Sequence, residues 1–343
     1  MGIELTADED RLLVELDQLY QVWREAAQKG LQGRYRWRRS NDTDYLYLMF
    51  PGSDRGASQG PRSEHTEALY EEHHAAEEQA RAVWTRLLVK GRMLKSARVP
   101  MVTAAAGEAL RALDLAGLLG DCVRVVGSMA LPAYELAAGV KLDPALHATE
   151  DMDLTWVLSP QELQAGNRPP AQLLEALKRT DDTWTVNSER PFQLRNRQGE
   201  ILDVLLAPSL VEGYPRRERV RPATLESQDW LLGGMPLERV VIDLSGKPVR
   251  VVSPDPRLFA LHKLYMAADP EVKANRKREK SAKDERQGQA LMELITQRMP
   301  EYPLDEAFAQ GLPAPLRQAF DTWNATPTAS PSSTTTRRSP RPR

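Results

Sequence analysis

Residues 122–158 read CVRVVGSMALPAYELAAGVKLDPALHATEDMDLTWVL, and this stretch decides the fold class. Its first five residues are mostly apolar and β-branched, which predicts a short strand that ends at Gly127 and Ser128. The letters MALPAYELAAG that follow are typical of a helix whose proline lies in the first turn, where it is tolerated. Residues 152–158 predict a second strand. A strand, a tight turn, a helix and a second strand in this order indicate an α/β core.

Further elements are predicted before this stretch. Apolar residues at helical spacing predict an amphipathic helix over residues 8–29, and Gly30 ends it. Two alternating runs around the polar letters SNDTD predict a β-hairpin over residues 33–52. The segment GSDRGASQGPRS that follows is predicted to be a loop. Two more helices are predicted, over residues 64–94 and 103–119.

The second strand is followed by a helix start, two hairpins and more helices. Ser159-Pro160-Gln161-Glu162 has the pattern of a capping box with proline at the first helical position. Hairpins are predicted over residues 192–206 and 240–252, and a helical pattern begins at Pro256. The last letters, ATPTASPSSTTTRRSPRPR, are of low complexity and are predicted to be disordered.

These elements predict an α/β (α+β) fold with a small mixed-sheet core flanked by helical regions. The chain has 343 residues, a length typical of about two domains. The predicted regions are an N-terminal helical region with a β-hairpin (1–99), the core (100–252), a C-terminal helical region (253–324) and a basic tail (325–343).

Composition excludes several classes of protein. The 46 Lys and Arg against 48 Asp and Glu give a net charge of −2, so no overall basic field indicates nucleic-acid binding. The single cysteine, Cys122, excludes a disulfide scaffold and a cysteine-based zinc cluster. No apolar run approaches about 18 residues, and the acidic N-terminus lacks a signal-peptide core. We therefore expect a cytoplasmic protein without a membrane partner.

Three aspartates are the strongest chemical signal. Asp151 and Asp153 are two positions apart at a strand, so they project to one side about 6.5–7 Å from each other. Asp203 lies inside the apolar run ILDVLL, where an unpaired carboxylate would cost several kcal/mol, on the order expected for a buried charge. Taken alone, an Asp-x-Asp pair is typical of a solvated strand edge. If Asp203 lies on the adjacent strand, the three carboxylates suit Mg²⁺ or Mn²⁺.

The turn at Gly127 and Ser128 is the second signal. A Gly-Ser pair after a strand is a common turn, but here it is predicted to start a helix. Unpaired backbone N–H groups at that position and the serine hydroxyl can bind phosphate oxygens. Glycine allows the backbone to approach the ligand closely. The order of turn, acid pair and third acid favours a functional site over the separate structural explanations.

The segment VVGSMALPAYELAAGV, with Asp151-Met152-Asp153-Leu154 and Asp203 downstream, resembles the polymerase-β-type nucleotidyltransferase superfamily. It is more narrowly similar to a bacterial nucleotidyltransferase-fold family related to AbiEii-type toxins, as are SPDPRLFALHKLYMA and RYRWRRSNDTDYLYL. The resemblance spans about residues 20–300. It implies a metal-dependent enzyme that moves a nucleoside monophosphate from an NTP such as ATP to an acceptor hydroxyl and releases pyrophosphate.

The resemblance also implies roles for individual residues. Gly127 and Ser128 would hold the triphosphate, Asp151 and Asp153 would bind Mg²⁺ or Mn²⁺, and Asp203 would complete the metal site and activate the acceptor. One departure is that Ser128 and Asp151 are 23 positions apart, about twice the usual spacing. The inserted residues are expected to form a helix extension and a loop.

Basic residues give weaker signals, each with a structural alternative. The same resemblance implies that Lys263 contacts the triphosphate, and the structural alternative is an ordinary solvated lysine. It also implies that Lys280 and Asp284 form a functional motif, and the alternative is an i, i+4 helix pair. The stretch KANRKREKSAKDER is a solvated helix face or an RNA contact. Arg34, Arg36 and Arg38 alternate with Tyr35 and Trp37, so the hairpin either packs its aromatic side chains on helices or binds nucleic acid.

The acceptor and the oligomeric state stay open at this point. An RNA such as tRNA, a protein and a small molecule are all candidate acceptors. A protein of another class, which binds nucleotide or RNA for regulation or defence without transferring anything, is the alternative to an enzyme. Three intact acidic residues argue against that alternative, because a non-catalytic protein has no need to hold like charges together.

Overall fold

The structure, a computed structural model, describes residues 2–30, 33–50, 55–147, 151–158, 173–216, 218–274 and 277–325. Ten α-helices occur within these residues. They are α1 (Ala7–Gly30), α2 (Glu64–Ser96), α3 (Ala104–Leu115), α4 (Leu131–Ala137), α5 (Leu173–Lys178), α6 (Pro256–Ala268), α7 (Pro270–Ala274), α8 (Arg278–Arg298), α9 (Glu306–Gln310) and α10 (Ala314–Ala325).

Fourteen strands occur in the same described ranges. They are β1 (Ile3–Glu4), β2 (Arg34–Ser40), β3 (Thr43–Met49), β4 (Gly56–Pro61), β5 (Met101–Val102), β6 (Val123–Val126), β7 (Val140–Lys141), β8 (Met152–Trp156), β9 (Thr185–Val186), β10 (Gln193–Arg195), β11 (Ile201–Leu206), β12 (Ala223–Thr224), β13 (Leu237–Asp243) and β14 (Pro248–Ser253).

A six-stranded mixed sheet forms the centre of the fold. Its strand order is β6-β8-β11-β10-β9, and β12 pairs with β11 as well. Strands β8 and β11 are parallel, whereas β6 and β10 run antiparallel to their neighbours. The predicted α/β fold class is confirmed by this mixture of helices with a mixed sheet.

A second sheet, β14-β13-β5, is joined to the N-terminal helices by buried charges. Asp114 on α3 accepts hydrogen bonds from Arg250 of β14 at 2.6 Å and from Tyr20 of α1 at 3.1 Å. Arg24 of α1 lies 2.9 Å from the same carboxylate. Asp114 is completely buried, so its charge requires these partners and fixes α1 against the core.

A third sheet, β2-β3-β4, lies on the first half of α2. Tyr35 and Trp37 of β2 contact His73 and Tyr70 of α2, with ring centroids 5.1 and 6.0 Å apart. The aromatic side chains of the predicted hairpin therefore pack on a helix, as the structural explanation expected. The last residues of α2 pack elsewhere: Leu94 is buried in the main apolar core.

The C-terminal helices α6 and α8 pack against each other. Asp255 caps α6 by accepting a hydrogen bond from the backbone N–H of Arg257, and Pro256 occupies the first helical position. Helices α6 and α8 pack along each other at Gly288, where a Cβ atom would lie 2.7 Å from Leu264. This close packing brings charged residues of both helices to the edge of the sheet.

Most predicted elements are present, with four corrections. The loop predicted over residues 52–63 contains strand β4, which extends the hairpin to three strands. The helix expected directly after Gly127 begins with a 3₁₀ turn over Gly127–Ala130. The inserted segment continues α4 to Ala137, as expected, but then contains strand β7, which pairs with β1, where only a loop was expected. The basic stretch is divided between α7 and α8 instead of forming one helix.

Some predictions lie outside the described residues or stay predictions. The capping box at residues 159–162 and the tail at 326–343 are outside the described ranges. One apolar core cluster runs from Leu5 to Phe320, so the division into three regions stays a prediction. Across the described residues, no helix has both the length and the apolar character needed to span a membrane.

Candidate active site

Two of the predicted aspartates lie side by side on neighbouring strands. Asp153 of β8 and Asp203 of β11 are direct partners in the parallel register. Side chains at paired positions of adjacent strands project to the same face of a sheet. On the other side of β8, Asp153 is the register partner of Val126, the last residue of β6. The topology therefore brings the end of β6 and both aspartates to one point.

Gly127 follows β6 and lies directly against Asp153. Its φ is +68°, a left-handed conformation that favours glycine. A Cβ atom on Gly127 would lie 2.2 Å from Oδ2 of Asp153, well inside van der Waals contact. Both the backbone conformation and the neighbouring carboxylate therefore require glycine at this position.

We expect Gly127→Ala to damage the site more than the fold. The left-handed conformation alone costs alanine about 1–2 kcal/mol, and the carboxylate of Asp153 must also move. Urea unfolding should show a stability loss of about 2 kcal/mol, and the activity expected from the sequence, release of pyrophosphate from an NTP, should fall at least 100-fold. Gly139→Ala is the matched control, because Gly139 also has φ +68° but no atom lies within 4 Å of its Cβ position. Equal activity loss in both variants would contradict this role for Gly127.

A cleft of about 590 Å³ is lined by all eight residues that the sequence analysis assigned to a catalytic or phosphate-binding site. The sheet edge and the turn form one wall, and helices α6 and α8 form the opposite wall. The predicted residues lining it are Gly127, Ser128, Asp151, Asp153, Asp203, Lys263, Lys280 and Asp284. This volume is within the range of small-ligand sites.

The helix wall carries a buried ion pair and two further lysines. Nζ of Lys263 on α6 lies 2.8 Å from Oδ1 of Asp284 on α8, and both residues are less than a tenth exposed. Asp284 is therefore a partner of Lys263, a contact between two helices that the sequence analysis did not predict. Lys280 is exposed and lines the cleft together with Lys283, which the sequence analysis did not identify.

The carboxylates affect each other's protonation. The pKa of Asp153 is raised to about 6, chiefly by burial and also by the charges of Asp203 and Asp151, while Lys263 and Lys280 oppose the shift. Burial also raises the pKa of Asp203, although a hydrogen bond from Gln193 opposes this. Burial lowers the pKa of the Lys283 ammonium, and the charge of Lys263 adds to that effect. A cation or a phosphate in the cleft would offset these unfavourable charges.

A hydrogen-bond relay orients Asp203. Nε2 of Gln193 donates to Oδ1 of Asp203 at 2.9 Å, and Nδ2 of Asn187 donates to Oε1 of Gln193 at 2.9 Å. Gln193 is the register partner of Asp203 on β10 and is buried. The sequence predicts a hairpin over residues 192–206, and the pairing of its two strands places Gln193 opposite Asp203. This contact could therefore have been predicted from the hairpin.

A second glutamine holds the turn. Nε2 of Gln287 on α8 donates to Oγ of Ser128 at 2.9 Å and to the carbonyl of Leu146 at 2.6 Å. Since the serine oxygen accepts this bond, its own proton is available to a ligand in the cleft. Gln287 also ties the long insert after Ser128 to the site. No short sequence pattern predicts this contact, because Ser128 and Gln287 are 159 positions apart in the chain.

The acidic residues of the cleft are candidate ligands for a divalent cation. Among the described residues, no group of three or more His, Cys, Asp or Glu side chains has the arrangement of a metal site. The donor chemistry nevertheless fits: Asp151, Asp153 and Asp203 offer only carboxylate oxygens at one cleft, as Mg²⁺ or Mn²⁺ prefers. Gly127 leaves Oδ2 of Asp153 the space that a side chain would fill.

The fold and the cleft define an α/β protein with an acidic sheet edge facing basic helices. A family model described as nucleotidyltransferase matches residues 104–313, more than half of the chain. The protein therefore belongs to this nucleotidyltransferase family. Comparisons with curated proteins and with solved structures gave no match. The matched range contains every residue of the cleft named above, and it leaves residues 1–103 outside.

Proposed function

We propose that the protein transfers a nucleoside monophosphate from an NTP to an acceptor hydroxyl, with pyrophosphate as the second product. The proposal extends the membership in a nucleotidyltransferase family to a particular reaction and to particular residues. The observation that carries it is the register of Asp153 with Asp203, next to a turn that only glycine can make. Lysines on the opposite wall supply positive charge for a triphosphate.

In the proposed reaction the acceptor oxygen attacks the α-phosphorus of the NTP. A bond forms between these two atoms, the bond from the α-phosphorus to the oxygen bridging to the β-phosphorus breaks, and pyrophosphate leaves with that oxygen. Asp203 receives the proton of the acceptor hydroxyl. Burial brings the pKa of Asp203 closer to neutral pH, which makes its carboxylate a better base than an ordinary aspartate.

The other residues bind and orient the triphosphate. The hydroxyl of Ser128 donates to a phosphate oxygen while Gln287 holds the serine in place. Lys263 uses one of its three N–H bonds on Asp284 and keeps two for phosphate oxygens. Lys280 and Lys283 add charge at the mouth of the cleft. These contacts position the reacting phosphorus, the main requirement of phosphoryl transfer.

Asp151, Asp153 and Asp203 would hold Mg²⁺ or Mn²⁺. When bound, the cation would neutralise part of the triphosphate charge and would polarise the transferred phosphoryl group as a Lewis acid. It would also relieve the repulsion that helps to raise the pKa of Asp153. Removal of divalent cations with EDTA is expected to abolish turnover, and added MgCl₂ should restore it.

The experiment for this proposal uses the full chain, each α-³²P-labelled NTP in turn, MgCl₂ and total cell extract. We expect one NTP to label one fraction of the extract and pyrophosphate to appear in equal amount. The labelled fraction would show whether the acceptor is RNA, protein or a small molecule. NTP binding by calorimetry without labelling or pyrophosphate release would instead favour the non-catalytic binding protein and contradict the proposal.

A toxin-like role in the cytoplasm is a finer form of the same proposal. The basic residues of the N-terminal hairpin and of the stretch KANRKREKSAKDER motivate it, because they could contact an RNA acceptor. Expression of the wild-type chain should then arrest growth, and Asp153→Ala should remove that effect at equal protein level. Normal growth with wild-type protein that is active in vitro would exclude the toxin-like role and leave the transfer reaction in place.

A further inference from the structure

The three-stranded sheet β2-β3-β4 has an outer face that none of the roles above uses. Tyr35 and Trp37 point to α2, so the residues that alternate with them on β2 lie on the opposite face of the sheet. These are Arg34, Arg36 and Arg38, and all three are exposed. The sheet lies in residues 33–62, outside the range that the family model matches.

Arginine and tyrosine are directly paired on this outer face. Arg36 is the register partner of Tyr47, and Arg38 is the partner of Tyr45. The guanidinium of Arg38 lies 5.5 Å from the ring centroid of Tyr47. The third strand contributes small side chains, since Ser58 is the partner of Tyr47. Both tyrosine rings are partly exposed, with only short side chains beside them on β4.

Charge pairing differs between the outer face and the rest of the sheet. Arg39 pairs with Asp42, and Arg62 pairs with Asp44 and Glu67. Arg36 and Arg38 contact no carboxylate among the described residues, and Arg34 reaches only Glu77, at 3.6 Å. A sheet that served only packing would not need unpaired arginines concentrated on its solvent side. The surface therefore carries positive charge on a chain whose net charge is −2.

We propose that this outer face, formed by Arg34, Arg36, Arg38, Tyr45 and Tyr47, binds single-stranded RNA. Bases stack on the two tyrosine rings, and the guanidinium groups bind the phosphates between them. Each guanidinium has five N–H donors, more than one phosphate uses, so donors remain for the ribose 2′-hydroxyl. A membrane surface or an acidic protein would use the positive charge but would have no need for flat rings next to Arg36 and Arg38.

The proposed surface lies far along α2 from the second sheet. Its contacts on α2 are at Tyr70 and His73, whereas Gly91 packs against Gly246, in the turn between β13 and β14. A helix rises 1.5 Å per residue, so these two ends are about 30 Å apart. The surface shares no residue with the cleft. It does not depend on the transfer reaction and can be tested without it.

The test measures binding of a 5′-fluorescein-labelled 20-nucleotide RNA of mixed sequence by fluorescence anisotropy, at several salt concentrations. We expect Tyr45→Ala/Tyr47→Ala to weaken binding at least tenfold, since each lost stack costs roughly five- to 150-fold. Tyr45→Phe/Tyr47→Phe keeps the rings and should bind within about threefold of wild type. Arg36→Glu/Arg38→Glu should weaken binding at least tenfold and lower the salt slope by about 1.4.

Matched controls separate this surface from general basic attraction. Arg86→Glu/Arg92→Glu makes the same charge change at exposed positions on the second half of α2 and should leave affinity within about twofold. Circular dichroism and thermal unfolding must show that each variant is folded. Equal weakening by the control, unchanged binding after loss of both tyrosines, DNA of the same sequence binding as tightly as RNA, or anionic vesicles competing with the RNA would each overturn the proposal.

Discussion

Asp153→Asn is expected to reduce pyrophosphate release by at least three orders of magnitude while making the cation-free protein more stable. The loss of activity follows from the loss of a carboxylate that is the register partner of Asp203 and lies against Gly127. Removing a central ligand of phosphoryl-transfer chemistry removes positioning and charge stabilisation together. The gain in stability has a separate cause, which is the protonation of Asp153.

The sign of the stability change follows from linkage. Burial raises the pKa of Asp153 from 3.8 to about 6 in the folded chain, so between these pH values the folded state binds more protons than the unfolded state. Stability from this group is present at low pH and is lost as pH rises to about 6. Asparagine does not ionise, so at pH 7 the variant should be more stable by about 1–2 kcal/mol, after allowance for partial exposure.

Urea unfolding in EDTA at pH 4 and pH 7 measures this difference. We expect the gain of Asp153→Asn over wild type to be present at pH 7 and to disappear at pH 4. Asp182→Asn, on the exposed surface, is the control and should change neither stability nor activity. MgCl₂ should raise the melting temperature of the wild type but not of Asp153→Asn. A variant that is active, or that loses stability at pH 7, would contradict the assignment.

The order of elements around the site could be predicted because it depends on local patterns. Hydrophobic alternation and turn residues locate β6, β8 and β11, and an aspartate within an apolar strand indicates a site. Local patterns do not determine that β8 pairs with β11, because the order of strands in a sheet depends on tertiary packing. The site of three carboxylates was therefore predicted only on the condition that the two strands are neighbours. Once the strands pair in parallel, the register of Asp153 with Asp203 follows.

Contacts between distant segments could not be predicted from local patterns. β4 reads GASQGP, a composition typical of a loop, and becomes a strand because β3 supplies an edge for pairing. Lys263 and Asp284 are 21 positions apart on two helices, so helical spacing within either one does not reveal their pairing. Spacing within a single helix offers only Lys280 as a neighbour of Asp284, so the structural alternative for Asp284 was an i, i+4 pair.

The pairing of Lys263 with Asp284 leads to the second large expected effect. Lys263→Met is expected to destabilise the protein by about 3 kcal/mol, because the buried carboxylate of Asp284 would lose the ammonium that lies 2.8 Å from its Oδ1. The same change should weaken NTP binding, since two ammonium donors for phosphate are lost. Urea unfolding and calorimetry with a non-hydrolysable NTP analogue and MgCl₂ measure the two effects independently.

A double variant separates packing from phosphate binding. Lys263→Met/Asp284→Asn removes both charges, so more than half of the lost stability should return, while analogue affinity should stay at least tenfold below wild type. Lys280→Met is the control on the same cleft: this exposed lysine should lower affinity but change stability by less than about 0.5 kcal/mol. If the double variant restores affinity together with stability, Lys263 serves the fold alone, and the triphosphate must be held by the turn and the lysines of α8.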